Sequence, residues 1–594
     1  MQSAEAVLGV LRERGRKGLP CKELYRQLFN PQLYLLAYGR IYSNQGAMTP
    51  GPTQETADDM SMEKIEAIIG AMRQERYRFS PVRRTYIPKK TSGKLRPLGL
   101  PPWSDKLVGE VVRLLLEAYY EPQFSDRSHG FRPGRGCHTA LREIANTWTG
   151  TTWFIEGDIS DCFGSLDHSI LLSIISERIH DGRFLRLISN MLLAGYMEDW
   201  KWNATLSGAP QGGVVSPILS NIYLHKLDQF VEMVLIPQYT KGKVRKRNSA
   251  YTKVERDLAR AQKRGDRDET RKLRQEWRRL PFSDPRDPDY RRLRYSRYAD
   301  DHLLGFTGPK AEAEKIKAQL AGFLHDELKL ELSAEKTLIT HARSRAARYL
   351  GYEIIVQHGD SKITNGRRSV NGTVALRVPL DVIMDKRAPY LRRGKPWHRP
   401  AMQNLDDYDI VKAYGAEYRG IVQYYTLASD VWRLNRLCWD AQTSMLKTLA
   451  AKHQSTVVKM AAKHRAKIET PYGLRTCYEA RVERTGKQPL VARFGGIPLV
   501  RNAKAVIIDR LPSHQVSHPR KELVCRLLAR RCELCEEPGK VLVHQVRSLA
   551  SLGKPSAGSP PWAALMIKKG RKTLVVCRPC HDAIHDGQPT AQTA

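Results

Sequence analysis

Long hydrophobic runs are absent from this sequence. No stretch approaches the ~18 consecutive apolar residues that cross a bilayer, so no membrane partner is expected. Met1 to Gly18 has no apolar core ahead of its Arg-rich stretch, so no secretory leader is expected and the chain reads as cytoplasmic. Cysteine is scarce: 10 among 594 residues are too few for a disulfide scaffold of this size. Negative charge is short as well, with 62 Asp plus Glu against 98 Lys plus Arg, a net charge of +36. A soluble chain so deficient in acid needs a polyanionic partner, and nucleic acid is the first candidate. Internal repeats and long low-complexity tracts are also missing. The remainder is globular in composition, 41% apolar and 27% charged, with length for about four domains.

Residues 1–80 read as mostly helical, with an apolar run at Leu33–Ile41 and a Gly/Pro-rich break at Gly46–Pro52. Residues 81–103, rich in Pro, Lys and Arg, predict a basic hairpin. Residues 105–120 put Leu107, Val111, Leu114, Leu115 and Ala118 on one helical face. Thr151–Ile159 reads as a strand from its β-branched and aromatic residues. Residues 241–280 hold sixteen Lys or Arg and six Asp or Glu among helix formers, a net +10; they predict a basic helical insertion closed by Pro281–Pro288. Across 408–464, Val411, Tyr414, Tyr418, Ile421 and Tyr425 recur every three or four positions. Basic residues share these helices, which suggests a thumb, ended by Pro471. A less regular basic segment is expected from there to about residue 525.

The strongest chemical signal is Tyr298-Ala299-Asp300-Asp301 between two short strand-like runs, which places paired carboxylates at a hairpin tip. Adjacent Asp residues beside apolar strands are costly unless a cation pairs with them. A third carboxylate, Asp158, ends the strand Trp153–Ile159. Two strand-borne acidic sites suit two Mg²⁺ ions about 3.5–4 Å apart, which activate an attacking hydroxyl and stabilise a leaving pyrophosphate.

The order of blocks around these residues resembles the group II intron-encoded reverse transcriptase and maturase family, of the bacterial and chloroplast-like type. The matching blocks are Ser43–Gly51, Ile87–Lys90 with Gly93–Gly99, Ser128–Gly136, Asp158–Phe163, Pro210–Pro217, Tyr298–Asp301, Leu332–Thr337 and Tyr349–Tyr352. Tyr418–Tyr425 with Leu449–His453 resembles the maturase thumb, which separates this family from retroviral, retron and diversity-generating polymerases. The resemblance implies that Asp158, Asp300 and Asp301 hold the two metals. It implies that Phe163 is the gate against a ribose 2′-hydroxyl, and that Lys94 and Arg96 contact the incoming triphosphate. Gln211, with Gly212 and Gly213, packs against nucleotide or template. Lys336 is read either as a proton donor to pyrophosphate or as a surface helix lysine. Leu350-Gly351-Tyr352 is the primer grip, and the basic insertion helps to hold structured RNA.

Near the C-terminus stand Cys532-x-x-Cys535 and Cys577-x-x-Cys580, a spacing specific for structural Zn²⁺. His581 and His585 lie four apart, on one face of a short helix, which suits metal ligation. With His544, the arrangement resembles an HNH endonuclease domain, whose histidines imply a Mg²⁺ site. The family has a second histidine, the general base, where this chain has Gln545, and an Asp where it has Ser551. The zinc fold is therefore expected to be intact and the nuclease chemistry impaired.

Together these readings predict an α+β right-hand polymerase with fingers and palm over residues 1–365, including an insertion at 241–290. A thumb or maturase domain spans 366–470, a DNA-binding region 471–525, and a small zinc-binding ββα-type module 526–594. The expected activity is RNA-directed DNA synthesis from dNTPs with splicing assistance and retrohoming. The expected partners are group II intron RNA, in a ribonucleoprotein particle, and target DNA. Two alternatives stand beside it: a splicing-only maturase, and a domesticated reverse transcriptase acting outside an intron. The intact Asp158, Asp300 and Asp301 argue against the first.

Overall fold

Four antiparallel strands carry the acidic residues, in the spatial order Arg292–Tyr298, Asp301–Thr307, Trp153–Asp158 and Ile339–His341. Successive side chains on a strand point to opposite faces, and here both faces are buried. Ile155, Leu304 and Phe306 enter one hydrophobic core; their neighbours Phe154 and Leu303 enter a second. The sheet is thus the partition between two cores. The computed structural model describes residues 2–44, 46–88, 95–198, 201–203, 208, 213–359, 362–364, 367–368, 370–484, 486–507, 519–553 and 560–587.

The first core holds the N-terminal helices Ala4–Arg16, Pro31–Ile41 and Met62–Arg73 around the helix Trp103–Tyr120. That helix is buried on nearly every side, charged residues included. Arg113 is bonded to Glu110 and Glu117, and Glu110 also receives Arg40 at 3.1 Å. Buried charges persist only when paired in this way. The basic hairpin forms from Val82–Pro88 and Leu95–Leu100 and is extended through parallel pairing of Val82 with Tyr196. Its turn, with Lys94, lies outside the described residues.

The basic insertion is a helical hairpin, Ser249–Arg264 and Arg267–Arg279, turned at Gly265 with φ +72°. Asn248 and Asp266 cap the two helices through their side chains. The first buries Val254, Leu258 and Ala261, whereas the second buries nothing.

The second core joins the sheet's other face to the helix Cys137–Thr147, the hairpin strands Ala347–Tyr349 and Tyr352–Val356, and the helices Asp407–Tyr424 and Asn435–Lys452. The helical run ends with Val457–His464, as expected near 464. The segment beyond corrects the sequence reading. As far as Gly495 it is not irregular: Arg465–Thr470, Gly473–Arg484 and Lys487–Gly495 form a three-stranded antiparallel sheet, with Pro471 in its first turn. Gly415 lets the helix Asp407–Tyr424 lie directly on this sheet, because a Cβ there would stand 2.1 Å from the Arg493 carbonyl.

At the C-terminus, strands Val541–Gln545 and Thr573–Cys577 and the helix Arg578–His585 form the expected ββα unit. A third strand completes its sheet from the far end of the chain: Met60 pairs with Val543, and Ser61 with Leu542. Val541, Val543 and Val575 belong to the first core. Among the described residues, no helix is long and apolar enough to cross a membrane.

Candidate active site

The strands Arg292–Tyr298 and Asp301–Thr307 meet in a two-residue turn, Ala299-Asp300, with Ala299 in the left-handed region at φ +55°. Asp158 pairs with Asp301 across the neighbouring strand, so the three carboxylates converge at one end of the sheet. Burial, then the charges of Asp300 and Asp158, pushes the Asp301 carboxyl up to about 7. Burial also raises Asp300, with Asp158 adding to it. Three acids crowded in this way resist joint ionisation unless cations join them. Hard oxygen donors of this kind fit Mg²⁺.

Lys336 supplies one cation. It lies in a turn rather than on a helix, and its ammonium donates to Asp158 Oδ2 at 2.6 Å. That correction removes the surface-helix reading. Arg96, exposed on the fingers strand opposite Ile87, acts on Asp300 as a favourable charge. Phe163 sits in the short helix Cys162–Ser165, edge-on to Phe131 at 6.3 Å, and Phe131 in turn lies 6.4 Å from Tyr298. Lys94 and Gln211 fall outside the described residues.

A buried pedestal holds the acidic turn. Arg297 is fully buried; its Nε and Nη2 grip Asp228 at 2.7 and 2.6 Å, and its Nη1 donates to the Ala299 carbonyl at 2.8 Å. A further bond from Nη2 reaches Ser128 Oγ at 2.9 Å. Gly130 lies against the turn so closely that a Cβ would stand 2.4 Å from the Ala299 nitrogen. Sequence reasoning missed Asp228, which carries no motif. Arg297 was visible only as a flank of the paired acids.

The Leu350-Gly351-Tyr352 turn, expected to be a primer grip, is fastened to the end of the helix Asp407–Tyr424. Leu350 and Gly351 take positive φ of +49° and +70°. Tyr424 donates to the Leu350 carbonyl at 2.8 Å and Tyr425 to that of Gly351 at 3.0 Å. The tyrosines that close the thumb motif thus set where the hairpin sits.

Two further clusters lie in the C-terminal unit. The sulfurs of Cys532, Cys535, Cys577 and Cys580 all lie within 4.8 Å of one another, and the thiols are free. Four thiolates at such separations fit Zn²⁺. His544, His581 and His585 also converge, and Asp58, from the N-terminal region, joins them. Gln545 stands at the position of the family's general base. It is buried, its backbone N–H donating to Asp58 Oδ1 at 2.7 Å and its side-chain amide to the Tyr42 carbonyl at 2.8 Å. Ser551 lies in a short helical turn, exposed.

Three family models match this chain: reverse transcriptase (RNA-dependent DNA polymerase) over residues 87–242, type II intron maturase over 373–479, and AI2M/AI1M-like HNH endonuclease over 532–581. The polymerase match stops where the basic insertion begins, short of Asp300. Group II intron-encoded protein LtrA of Lactococcus lactis subsp. cremoris is 39% identical over 585 residues, 94% of each chain. An uncharacterized 91 kDa protein in the cob intron of Schizosaccharomyces pombe is 33% identical, over 96% of this chain and 70% of that one. The putative COX1/OXI3 intron 1 protein of Saccharomyces cerevisiae is 31% identical, over 94% and 68%.

Proposed function

Since the chain belongs to the group II intron-encoded reverse transcriptase and maturase family, we propose a division of its work among particular residues. The protein is an RNA-directed DNA polymerase with a splicing maturase role, and its polymerase chemistry uses a divalent metal such as Mg²⁺. Asp158, Asp300 and Asp301 hold that metal. When bound, it supplies the charge that makes a primer hydroxyl nucleophilic and offsets charge on the leaving pyrophosphate. The observation that carries this assignment is the convergence of three half-buried carboxylates, two at one turn held from below and the third on the adjoining strand.

Lys336 covers Asp158 before substrate arrives; its flexible ammonium then turns to the triphosphate. Arg96 steers the same phosphates from the fingers, with Lys94 beside it in sequence. Phe163, backed by Phe131, stands where a 2′-hydroxyl would clash, and Gln211 packs beside nucleotide or template. Leu350-Gly351-Tyr352 grips the primer end, positioned by Tyr424 and Tyr425.

The fingers and palm extend to about residue 365 and the thumb to about 470. The exposed helical hairpin of the insertion binds intron RNA. The region over 471–525, which includes most of the sheet after the thumb, contacts target DNA during retrohoming by the cytoplasmic ribonucleoprotein particle. Cys532, Cys535, Cys577 and Cys580 hold a structural zinc. Second-strand cleavage is impaired, because Gln545 cannot take a proton at neutral pH and its amide is already bonded to Tyr42. The deciding experiment is Asp300→Asn. Primer extension on an RNA template should be abolished while intron RNA affinity stays nearly unchanged. Near wild-type extension would refute the assignment.

A further inference from the structure

The histidine cluster has a donor that no HNH-like pattern in the sequence supplies. Asp58 lies in the loop before the strand Met60–Ser61, almost five hundred residues ahead of the histidines. Its Oδ2 is 2.8 Å from His585 Nε2 and 3.4 Å from His581 Nε2, and its Oδ1 is 3.4 Å from His544 Nδ1. One ligand atom from each of the four residues lies within 4.8 Å of the other three. His544 and His581 are 4% and 5% exposed. His544 Nδ1 and His581 Nε2 are buried with only these long approaches to Asp58, and His544 Nε2 is buried without a hydrogen-bond partner. Buried polar atoms rarely go unsatisfied, and His544 and His581 each bring one imidazole nitrogen to the group formed with Asp58 and His585, which points to a cation shared among them.

The donor set indicates which ligand. Three imidazoles and one carboxylate make a nitrogen-rich, four-membered set suited to Zn²⁺ in tetrahedral coordination. Mg²⁺ prefers oxygen donors and keeps several waters. A catalytic metal needs an open position, whereas a fourth protein ligand closes a tetrahedral site. The carboxylate is also fixed in place. The Gln545 N–H donates to Asp58 Oδ1 at 2.7 Å, the Asp59 N–H donates to the Val543 carbonyl at 3.0 Å, and Arg578 pairs with Asp59 at 2.7 Å.

We propose that Asp58, His544, His581 and His585 form a second, closed zinc site. It clamps the C-terminal unit to the N-terminal helices instead of serving as a nuclease centre. The inference deepens the reading that strand cleavage is impaired, and it is independent of the polymerase assignment and of the four-cysteine site.

The test uses the full-length protein, dialysed against a weak chelator, with metal content measured by plasma mass spectrometry. Wild type should retain about two equivalents of zinc, and Asp58→Ala and Cys532→Ser should each retain about one. If only the cysteine reading fails, wild type holds about one equivalent and Asp58→Ala none. Cobalt substitution separates the two sites by spectrum. Asp58→Ala should alter the nitrogen–oxygen visible bands and spare the thiolate charge-transfer absorption. Hydrogen exchange should show residues 40–62 and 541–545 losing protection together. Should Asp58→Ala fold poorly, His585→Ala replaces it, since that side chain is half exposed at 50%. Equal zinc content in wild type and both variants would overturn the proposal. So would Mg²⁺-dependent strand cleavage by wild type that His585→Ala abolishes.

Discussion

The palm and the C-terminal unit each gather donors that need a cation, but they do so in opposite ways. In the palm, three oxygen donors stand at the end of a sheet, with Lys336, itself largely exposed, laid over Asp158. In the C-terminal unit, three nitrogens and an oxygen lie within 4.8 Å of one another, the oxygen supplied by the N-terminal segment. As proposed, the first arrangement leaves positions for substrate and water, as turnover requires, and the second, with four protein ligands, completes a tetrahedral set. On the assignments proposed above, openness, rather than the presence of metal ligands, separates the site that does chemistry from the one that holds the fold.

The comparison can be broken most severely by testing whether the two sites are independent. Asp300→Asn should lower primer extension by several kcal/mol of barrier, on the order of 10³-fold. It should leave bound zinc unchanged. Asp58→Ala should do the reverse, and crossed effects would show that the sites are coupled. Next comes the pedestal. Arg297→Met strands Asp228 in the core and should cost about 3–5 kcal/mol, read from denaturant unfolding. The double variant Asp228→Leu with Arg297→Met should recover much of that stability yet extend primers poorly, because the Ala299 carbonyl has lost its donor. Full activity in a stable double variant would mean that the turn holds itself.

Smaller effects sharpen the picture of the open site. Deleting the helices from 249 to 279 should flatten the dependence of intron RNA affinity on salt, measured as the slope of log affinity against log salt. An unchanged slope would leave this hairpin a solvated surface feature. Phe163→Val should raise ribonucleotide relative to deoxynucleotide incorporation in single-turnover extension, and an unchanged ratio in an active variant would remove the gate assignment. The smallest effect is expected at Gln545→His. A restored histidine would still face Tyr42, and Asp58 would still close the cluster, so second-strand cleavage should remain undetectable. A clear gain of cleavage would show that the closed site opens.

Much of the palm was legible because its ligands carry local signals. Asp300 and Asp301 are adjacent at a hairpin tip, and Asp158 ends a strand of apolar and aromatic residues. The cysteine pairs announce themselves by spacing. Asp228 and Asp58 were not legible, because nothing in their neighbourhood marks them and their partners lie about 70 and 500 residues away. The sheet after the thumb was misread for a different reason. The strand Gly473–Arg484 fully buries only Cys477 and Ala480, and its partner contributes Ala492 and Phe494. So thin an apolar stripe among arginines gives no period-two alternation to detect.

The pairing of Met60 with Val543 also bears on how the protein is made. At ~5–20 residues per second, a ribosome needs roughly half a minute to a minute and a half to travel from Ser61 to Val541. Throughout that interval the strand Met60–Ser61 has no partner, and Ala57 and Met60, fully buried in the finished fold, lack their cover. The N-terminal helices are therefore completed last, although they are translated first. If strand cleavage is impaired as proposed, the C-terminal unit can still be retained by selection for this late assembly step alone. Gene truncations that remove it should deplete the polymerase from cells by exposing its oldest part to proteases.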